Sequence, residues 1–270
     1  MTDLPLAQPA QPSEPHDPDG ALPPVIMPRC YAPPTGRWGF GDVGWFVLVL
    51  VGTIIATVVL IVPMVFLFPD AFNSDEGIDG STAAGSWLMT VSQLVFFIGM
   101  AAWPLVVGWQ KADGWRRAFG FHVSWRAVGI GLLGGVATLI AMTVLTTVTA
   151  NLLDREVDSA GAVAADSMTG STVAFILFLL LIAVGAPFVE EIAFRGLVWG
   201  AVVKHGWSPW LATVIASVPF ALLHVEPLRV APLVAAGLVL GTVRQFGGLG
   251  AAMLAHAVVN VIGAISIAAS

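Results

Sequence analysis

The stretch PFVEEIAFRG, residues 187–196, places two adjacent carboxylates and one guanidinium inside the most apolar part of the chain. Ionisable side chains at membrane depth are costly, and their presence there indicates a functional site by default. Successive residues of an α-helix lie about 100° apart, so Glu191 and Arg195, four positions apart, share one helix face. We expect Arg195 to pair with Glu191 and Glu190 to point about a quarter turn away, free to face a cavity. The alternative at this point is a buried structural ion network.

The composition indicates a polytopic membrane protein. Hydrophobic residues make up 57% of the 270 positions and charged residues only 10%, whereas a soluble domain has about 25% charged residues. A formal net charge of −6 argues against nucleic acid as a partner. The single cysteine, Cys30, excludes an intramolecular disulfide and a cysteine-based metal cluster.

The N-terminal segment differs from the rest of the chain. Residues 1–36 hold 10 of the 18 prolines together with several acidic residues, a composition that cannot form a hydrophobic core. We therefore predict a disordered, proline-rich cytoplasmic tail over residues 1–40 and a transmembrane domain over residues 41–270.

The apolar runs predict an all-α bundle of six to eight transmembrane helices. The expected spans are Trp45–Phe68, Ala84–Val107, Ala127–Ala150, the run from Thr172 to Lys204, Pro209–His224, Val230–Arg244 and Leu249–Ile267. The run from Thr172 to Lys204 is longer than one span requires, and Gly185 and Pro187 predict a break or kink in it. Two pairs of glycines, Gly131/Gly135 and Gly237/Gly241, have the small-xxx-small spacing that lets helices approach closely.

The loop charges alternate along the chain and predict the orientation. Arg29, Arg37 and the loop 109–126 are basic, whereas the loops at 69–82 and 151–166 are mainly acidic. The positive-inside rule then places the N-terminus and the loop 109–126 in the cytoplasm. We expect an integral protein of the plasma membrane with its acidic loops facing outward.

Two further apolar runs carry polar residues one helical turn apart. Phe220 precedes His224 by four positions, and His256 precedes Asn260 by four. A lone histidine in a bundle is more often a hydrogen-bonded packing residue than a catalytic one. His224 and His256 are, however, the only histidines well inside apolar segments, and buried polar groups require partners. A buried carboxylate with nearby donors suits water activation and stabilisation of an oxyanion, the two requirements of peptide hydrolysis.

Taken in order, the motifs Glu190-Glu191-xxx-Arg195, Phe220-xxx-His224 and His256-xxx-Asn260 resemble those of the CPBP family. That family comprises the type II CAAX prenyl proteases and their bacterial relatives, also called the Abi family, and the resemblance covers about residues 172–267. It implies an intramembrane endopeptidase in which Glu190 and His224 activate water and His256 and Asn260 stabilise the oxyanion. Glu191 and Arg195 would support that arrangement, as would Phe220 of the second motif.

The resemblance also bears on cofactors and partners. We expect no cofactor, because Asn260 one turn after His256 fits an oxyanion role better than a metal ligand sphere. The alternative is zinc held by Glu190, His224 and His256, the ligand types of some catalytic zinc sites. The expected partners are membrane lipid and a peptide or membrane-protein substrate, and prenylation of that substrate is not implied by any residue of this chain.

Three other readings compete with the glutamate-dependent protease. The same fold allows a non-catalytic membrane scaffold or a bacteriocin-immunity type protein, and a buried Glu/His/Arg set also suits a proton-coupled transporter. The sequence shows no inverted repeat, which argues against the transporter.

The motifs of other protease classes are missing from the sequence: there is no His-Glu-x-x-His and no Gly-x-Ser-x-Gly. Gly39-Phe40-Gly41-Asp42 matches intramembrane aspartyl proteases, but it lies at the edge of the first span without a second intramembrane Asp.

Overall fold

The computed structural model describes residues 34–73 and 77–269. The predicted disordered tail falls mainly on residues 1–33, including Cys30, which lie outside the described residues, as do Asp75 and Glu76 of the first acidic loop. From Pro34 onward the chain contacts the bundle: Trp38 is buried, and its indole stacks under the ammonium group of Lys204 at 4.3 Å. The backbone N–H groups of Thr35 and Arg37 donate to the carbonyls of Ala118 and Lys111. Residues 34–39 of the predicted tail are therefore attached to the bundle, although 35–37 are exposed.

The fold is an all-α bundle, as predicted. In the described residues the helices are α1 Phe40–Leu67, α2 Ala83–Gln110, α3 Trp115–Ala118, α4 Trp125–Leu153, α5 Ala160–Ser167, α6 Thr172–Lys204, α7 Pro209–Leu223 and α8 Val230–Ala269. Two-residue strands β1 (Phe72–Asn73) and β2 (Gly77–Ile78) pair antiparallel with Phe72 opposite Ile78. Single 3₁₀ turns lie at Pro69–Ala71 and Pro227–Arg229.

Serine and threonine side chains determine where five of these helices begin. Each accepts a hydrogen bond from the backbone N–H three residues further on, which satisfies a donor that the first turn leaves free. The residues are Thr82, Ser124, Ser159, Ser171 and Ser208.

Five helices of the described chain, α1, α2, α4, α6 and α8, are long and apolar enough to cross a membrane. The 15-residue α7 is shorter and also apolar. The outward faces of the long helices are aliphatic; Leu60 in α1 and Leu133 in α4, for example, are 60% and 75% exposed. Such surfaces suit contact with lipid tails.

Helix α8 folds back on itself at Gly248, close to the predicted boundary between Arg244 and Leu249. Gly248 has φ +83°, in the region that favours glycine. A Cβ built on Gly134 of α4 would lie within 3.5 Å of both Val243 and Ala255, yet twelve residues of straight helix span about 18 Å. The two halves, 230–247 and 249–269, therefore lie side by side against α4. With α8 counted as two, the described residues form seven apolar helical segments of the bundle: α1, α2, α4, α6, α7 and the two halves of α8.

The predicted break at Gly185 and Pro187 is wrong in its form. Gly185 keeps helical dihedral angles (φ −63°, ψ −52°), and α6 runs on through the site. The helix instead widens into two π-helical segments, Leu181–Gly185 and Glu191–Val198, on either side of Ala186–Glu190. A π turn accommodates a residue that cannot donate its backbone N–H, as Pro187 cannot, and such turns occur frequently at functional sites.

Both predicted glycine pairs lie at close helix–helix contacts. Gly131 and Gly135 of α4 lie against residues 251–258 of α8, where an added Cβ would come within 2.9 Å of protein atoms. Gly237 and Gly241 of α8 lie against Ser217 and Thr213 of α7. A Cβ added to Gly237 would lie 2.7 Å from Ser217, and one added to Gly241 would lie 2.5 Å from Thr213. These contacts hold α4, α7 and both halves of α8 close together around the interior of the bundle.

The two ends of the bundle carry opposite charge. The end where α1 begins, here called the basic end, carries Arg37, Lys111, Arg116, Arg117, Arg126 and Lys204. At this end the carboxylate of Asp42 accepts a hydrogen bond from the Gly39 N–H at the start of α1 and pairs with Lys111 at 2.5 Å. The Asp of the Gly-x-Gly-Asp match therefore has structural contacts. The opposite, acidic end carries Asp70, Asp79, Asp154, Glu156, Asp158, Asp166 and Glu226 with Arg155 and Arg229.

Candidate active site

The ion pair expected between Glu191 and Arg195 is present in the middle of α6. The Nη1 atom of Arg195 donates to Oε1 of Glu191 at 2.9 Å, and both side chains are fully buried. The other terminal nitrogen, Nη2, donates to the carbonyl oxygen of Gly237 at 3.2 Å. The guanidinium also lies 4.3 Å from the ring centroid of Phe220. Arg195 thus ties α6 to α7 and α8.

His256 connects the two adjacent glutamates. Its Nδ1 lies 3.0 Å from Oε1 of Glu191, and its Nε2 lies 3.8 Å from Oε2 of Glu190. An ionised carboxylate can only accept hydrogen bonds, so we assign the proton to Nδ1, which donates to Glu191. The carboxylate of Glu191 therefore fixes the orientation of the imidazole, and the edge that carries Nε2 is turned towards Glu190.

A cavity of about 320 Å³ lies beside this group. It is lined by Glu190, Phe220, His224, His256 and Asn260, together with mainly apolar residues of α2, α4 and α8. Glu191 and Arg195 do not line it and lie behind its wall. The structure therefore brings the four residues predicted to act chemically to one cavity, and it places the two predicted charged supports outside that cavity.

The remaining two polar residues of the site are each held by a backbone carbonyl. Nδ1 of His224 lies 2.8 Å from the oxygen of Phe220, one turn earlier in α7. Nδ2 of Asn260 donates to the oxygen of Ile182 at 2.9 Å, within the first π segment of α6. The ring of Phe220 packs edge-on against both imidazoles, with centroid distances of 5.1 Å to His224 and 5.9 Å to His256.

Three atoms of this charged cluster are buried without a hydrogen-bond partner among the described residues: Oε2 of Glu190, Oε2 of Glu191 and Nε of Arg195. Of these three residues, Glu190 is the one that lines the cavity. Its side chain is 10% exposed, and its Oε2 is buried without a hydrogen-bond partner among the described residues. A buried polar atom without a partner is costly, and each such atom in a native structure calls for an explanation. Because Glu190 lines the cavity, a water molecule or a substrate group in the cavity can supply the missing partner.

Several residues that support the site were not identified from the sequence. Arg244 is fully buried, donates to the backbone oxygens of Phe119 and Arg195 at 2.8 and 3.3 Å, and stacks on Trp199. A charge within an apolar run is a usable signal, although Arg244 stands at the end of a span predicted from the sequence. Gln93 and Thr138 also line the cavity; single polar residues within α2 and α4 give no comparable signal.

The metal alternative has no matching geometry in the described part of the chain. Among those residues, no group of three or more His, Cys, Asp or Glu side chains is arranged to hold a metal ion. Glu190, His224 and His256 share the cavity, but only Glu190 and His256 form a close pair. The expectation of a metal-independent site stays a prediction.

Comparison with family models gives a match over part of the chain. Residues 172–262 match the family model described as type II CAAX prenyl endopeptidase Rce1-like. The matched segment contains Glu190, Glu191, Arg195, Phe220, His224, His256 and Asn260. Comparisons with curated proteins and with solved structures give no match. The family match confirms the resemblance inferred from the three motifs and supports a membrane endopeptidase of the CAAX protease type at the level of the family.

Proposed function

We propose that this protein hydrolyses peptide bonds within the membrane by means of a water molecule activated in the cavity beside Glu190. The observation that carries the proposal is the pair of neighbouring groups, Glu190 and His256. Among the described residues, one oxygen of Glu190 has no hydrogen-bond partner, and it lies 3.8 Å from Nε2 of an imidazole whose other nitrogen is held by Glu191. A carboxylate that faces a largely apolar cavity in this way is suited to general-base catalysis.

In the first step Glu190, with His224 on the same cavity wall, removes a proton from water. The water oxygen attacks the carbonyl carbon of the scissile peptide bond, and the carbonyl oxygen becomes an oxyanion. Water is a poor nucleophile until a base takes its proton, and a carboxylate in a largely apolar cavity is less fully solvated than one in bulk water. The apolar lining of the cavity supplies those surroundings.

His256 and Asn260 stabilise the oxyanion. They lie one turn apart in the second half of α8 and both line the cavity. Asn260 uses one amide hydrogen for the carbonyl of Ile182, and the amide carries a second donor. His256 donates from Nε2 in its doubly protonated, imidazolium form, in which Nδ1 still donates to Glu191. Donors that are held in place before the reaction stabilise developing charge more effectively than water does.

Glu190 then gives its proton to the leaving nitrogen, and the carbon–nitrogen bond breaks to release an amine and a carboxylic acid, which ionises by passing its proton to the amine or to water. Glu191 and Arg195 act through position: they hold the imidazole of His256 and join α6 to α8. The protein works in this proposal without a cofactor, in the plasma membrane, with its N-terminus in the cytoplasm.

A peptide-library assay tests the proposal. The purified full-length protein in lipid bilayers is incubated with a library of apolar and amphipathic peptides, and new peptide termini are identified by mass spectrometry. We expect cleavage products that are absent from a parallel preparation of Glu190→Gln. Equal product patterns from the two proteins would contradict hydrolysis at this site and would favour the non-catalytic scaffold.

A further inference from the structure

The route by which a substrate reaches the cavity is indicated by the residues around its rim. Among the lining residues, Ser159, Ala160, Gly161, Glu226 and Arg229 belong to the acidic end of the bundle. The lining includes none of the described loop residues of the basic end, 111–124, 205–208 and 246–250. The cavity therefore extends from mid-bundle towards the acidic end.

A second, more open depression continues this route outward. It has a volume of about 770 Å³, and we call it the outer basin. It is lined by Ile78, Met89, residues 156–158, Ala160, Val163, Ala164, Ser167 and residues 226–229. Ala160, Glu226 and Arg229 line both spaces, so the basin and the cavity adjoin across these three residues.

One carboxylate bridges the boundary between the two spaces. Oε1 of Glu226 accepts a hydrogen bond from the N–H of Ala160 at 2.6 Å, and Oε2 accepts one from Nη1 of Arg229 at 2.6 Å. The bridge connects the first turn of α5 to the 3₁₀ turn before α8. These two elements are therefore the ones that border any path from the basin to Glu190.

The charges of the two ends assign the basin to one side of the membrane. Membrane proteins retain Lys and Arg on the cytoplasmic side, and six such residues lie at the basic end. The acidic end, with the outer basin, then faces away from the cytoplasm. The site lies deep in the bundle but is connected by its cavity to that non-cytoplasmic surface.

We infer that the outer basin is the substrate entry site and that it takes a polypeptide segment presented at the non-cytoplasmic face of the membrane. The inference rests on the proposed function, because the bound segment is a substrate only if the protein hydrolyses peptides. The position of the opening does not depend on catalysis. The side on which the basin opens restricts the class of substrate. Segments of secreted proteins and outward-facing loops of membrane proteins can reach the basin, whereas segments confined to the cytoplasm cannot.

Site-directed thiol labelling tests this route. In a Cys30→Ser background, single cysteines are introduced at Asp158 in the outer basin and at Met142 in the cavity wall. Arg117→Cys reports the basic end, where that side chain is 74% exposed. Val144→Cys, two residues from Met142 and 54% exposed on the outer surface of α4, is the matched control for a thiol in lipid. A membrane-impermeant maleimide is applied to intact cells and to inverted vesicles.

We expect the impermeant reagent to label Asp158→Cys and Met142→Cys in intact cells and to label Arg117→Cys only in inverted vesicles. Val144→Cys should stay unlabelled in both. Labelling of Met142→Cys only from the cytoplasmic side would overturn the inference, as would labelling of Asp158→Cys from that side. Labelling at Asp158 without labelling at Met142 from outside would show that the basin does not lead to the cavity. None of these outcomes depends on hydrolysis, so a failed cleavage assay leaves the labelling result interpretable.

Discussion

The Nδ1 atom of His256 lies 3.0 Å from Oε1 of Glu191, the oxygen that also accepts a hydrogen bond from Nη1 of Arg195. One buried carboxylate oxygen thus joins a cation of its own helix to an imidazole 65 positions later in the chain. Glu191 therefore determines how His256 faces Glu190, and the support of the site depends on the ion pair behind it.

Removing Arg195 should destabilise the protein more than it alters the chemistry. Loss of one partner from a buried ion pair leaves an uncompensated charge and costs about 3–5 kcal/mol. We expect Arg195→Ala to lower the free energy of unfolding by about that amount in detergent. The matched control is Arg117→Ala, because Arg117 forms an exposed pair with Asp113 at 3.7 Å and exposed pairs contribute about 0–1 kcal/mol. An Arg195→Ala protein of normal stability that hydrolyses nothing would place Arg195 in the chemical step.

The backbone between His224 and the Glu226 bridge is strained, and relief of that strain should be measurable. Val225 has φ +54° and an exposed side chain; a β-branched residue in this region is an outlier, and such strain costs about 1–3 kcal/mol. We expect Val225→Asn to raise the midpoint of thermal unfolding, because Asn tolerates left-handed dihedral angles. Asp154 has φ +50°, so the reverse change, Asp154→Val, should lower it. If the two variants shifted in the same direction, backbone strain would not be the cause.

Metal dependence can be tested separately from activity. We expect purified protein to contain no stoichiometric transition metal and to keep its peptide-cleaving rate after treatment with a chelator. The physical reason is that Asn260 follows His256 by one turn and suits an oxyanion donor better than a member of a zinc ligand set. Elemental analysis provides the measurement. One zinc per chain, with activity lost on its removal and restored on its return, would assign Glu190, His224 and His256 as ligands instead.

The sequence was sufficient to predict the features that depend on local spacing. The i, i+4 relation placed Glu191 and Arg195 on one face, and the structure shows their hydrogen bond. The glycine spacings at Gly131/Gly135 and Gly237/Gly241 indicated close helix contacts that are present. Apolar run length indicated the helical bundle, because a lipid environment leaves few other structures for an apolar segment of that length.

Features that depend on tertiary packing could not be predicted from local spacing. A proline in a long apolar helix predicts a break, but whether the chain kinks or forms a π turn depends on how its neighbours satisfy the freed backbone groups. The contact of His256 with both glutamates requires the reversal at Gly248, which brings the second half of α8 beside α4 and α6. Arg244 was identifiable as an intramembrane cation, but its partners, the backbone oxygens of Phe119 and Arg195, lie far away in sequence.

The most direct test of the central claim compares the cleavage rates of Glu190→Gln and Glu191→Gln with the parental rate, at matched concentrations of folded protein. Gln preserves the shape and most of the hydrogen bonding of Glu but cannot take a proton from water. General bases contribute about 10²–10⁴-fold to a rate, so Glu190→Gln should lose at least about 10²-fold while its thermal stability is retained. Glu191→Gln should lose less activity and more stability, because Glu191 supports His256 and pairs with Arg195 behind the cavity. A Glu190→Gln protein that cleaves at the parental rate would contradict the catalytic account and leave the membrane scaffold as the better explanation.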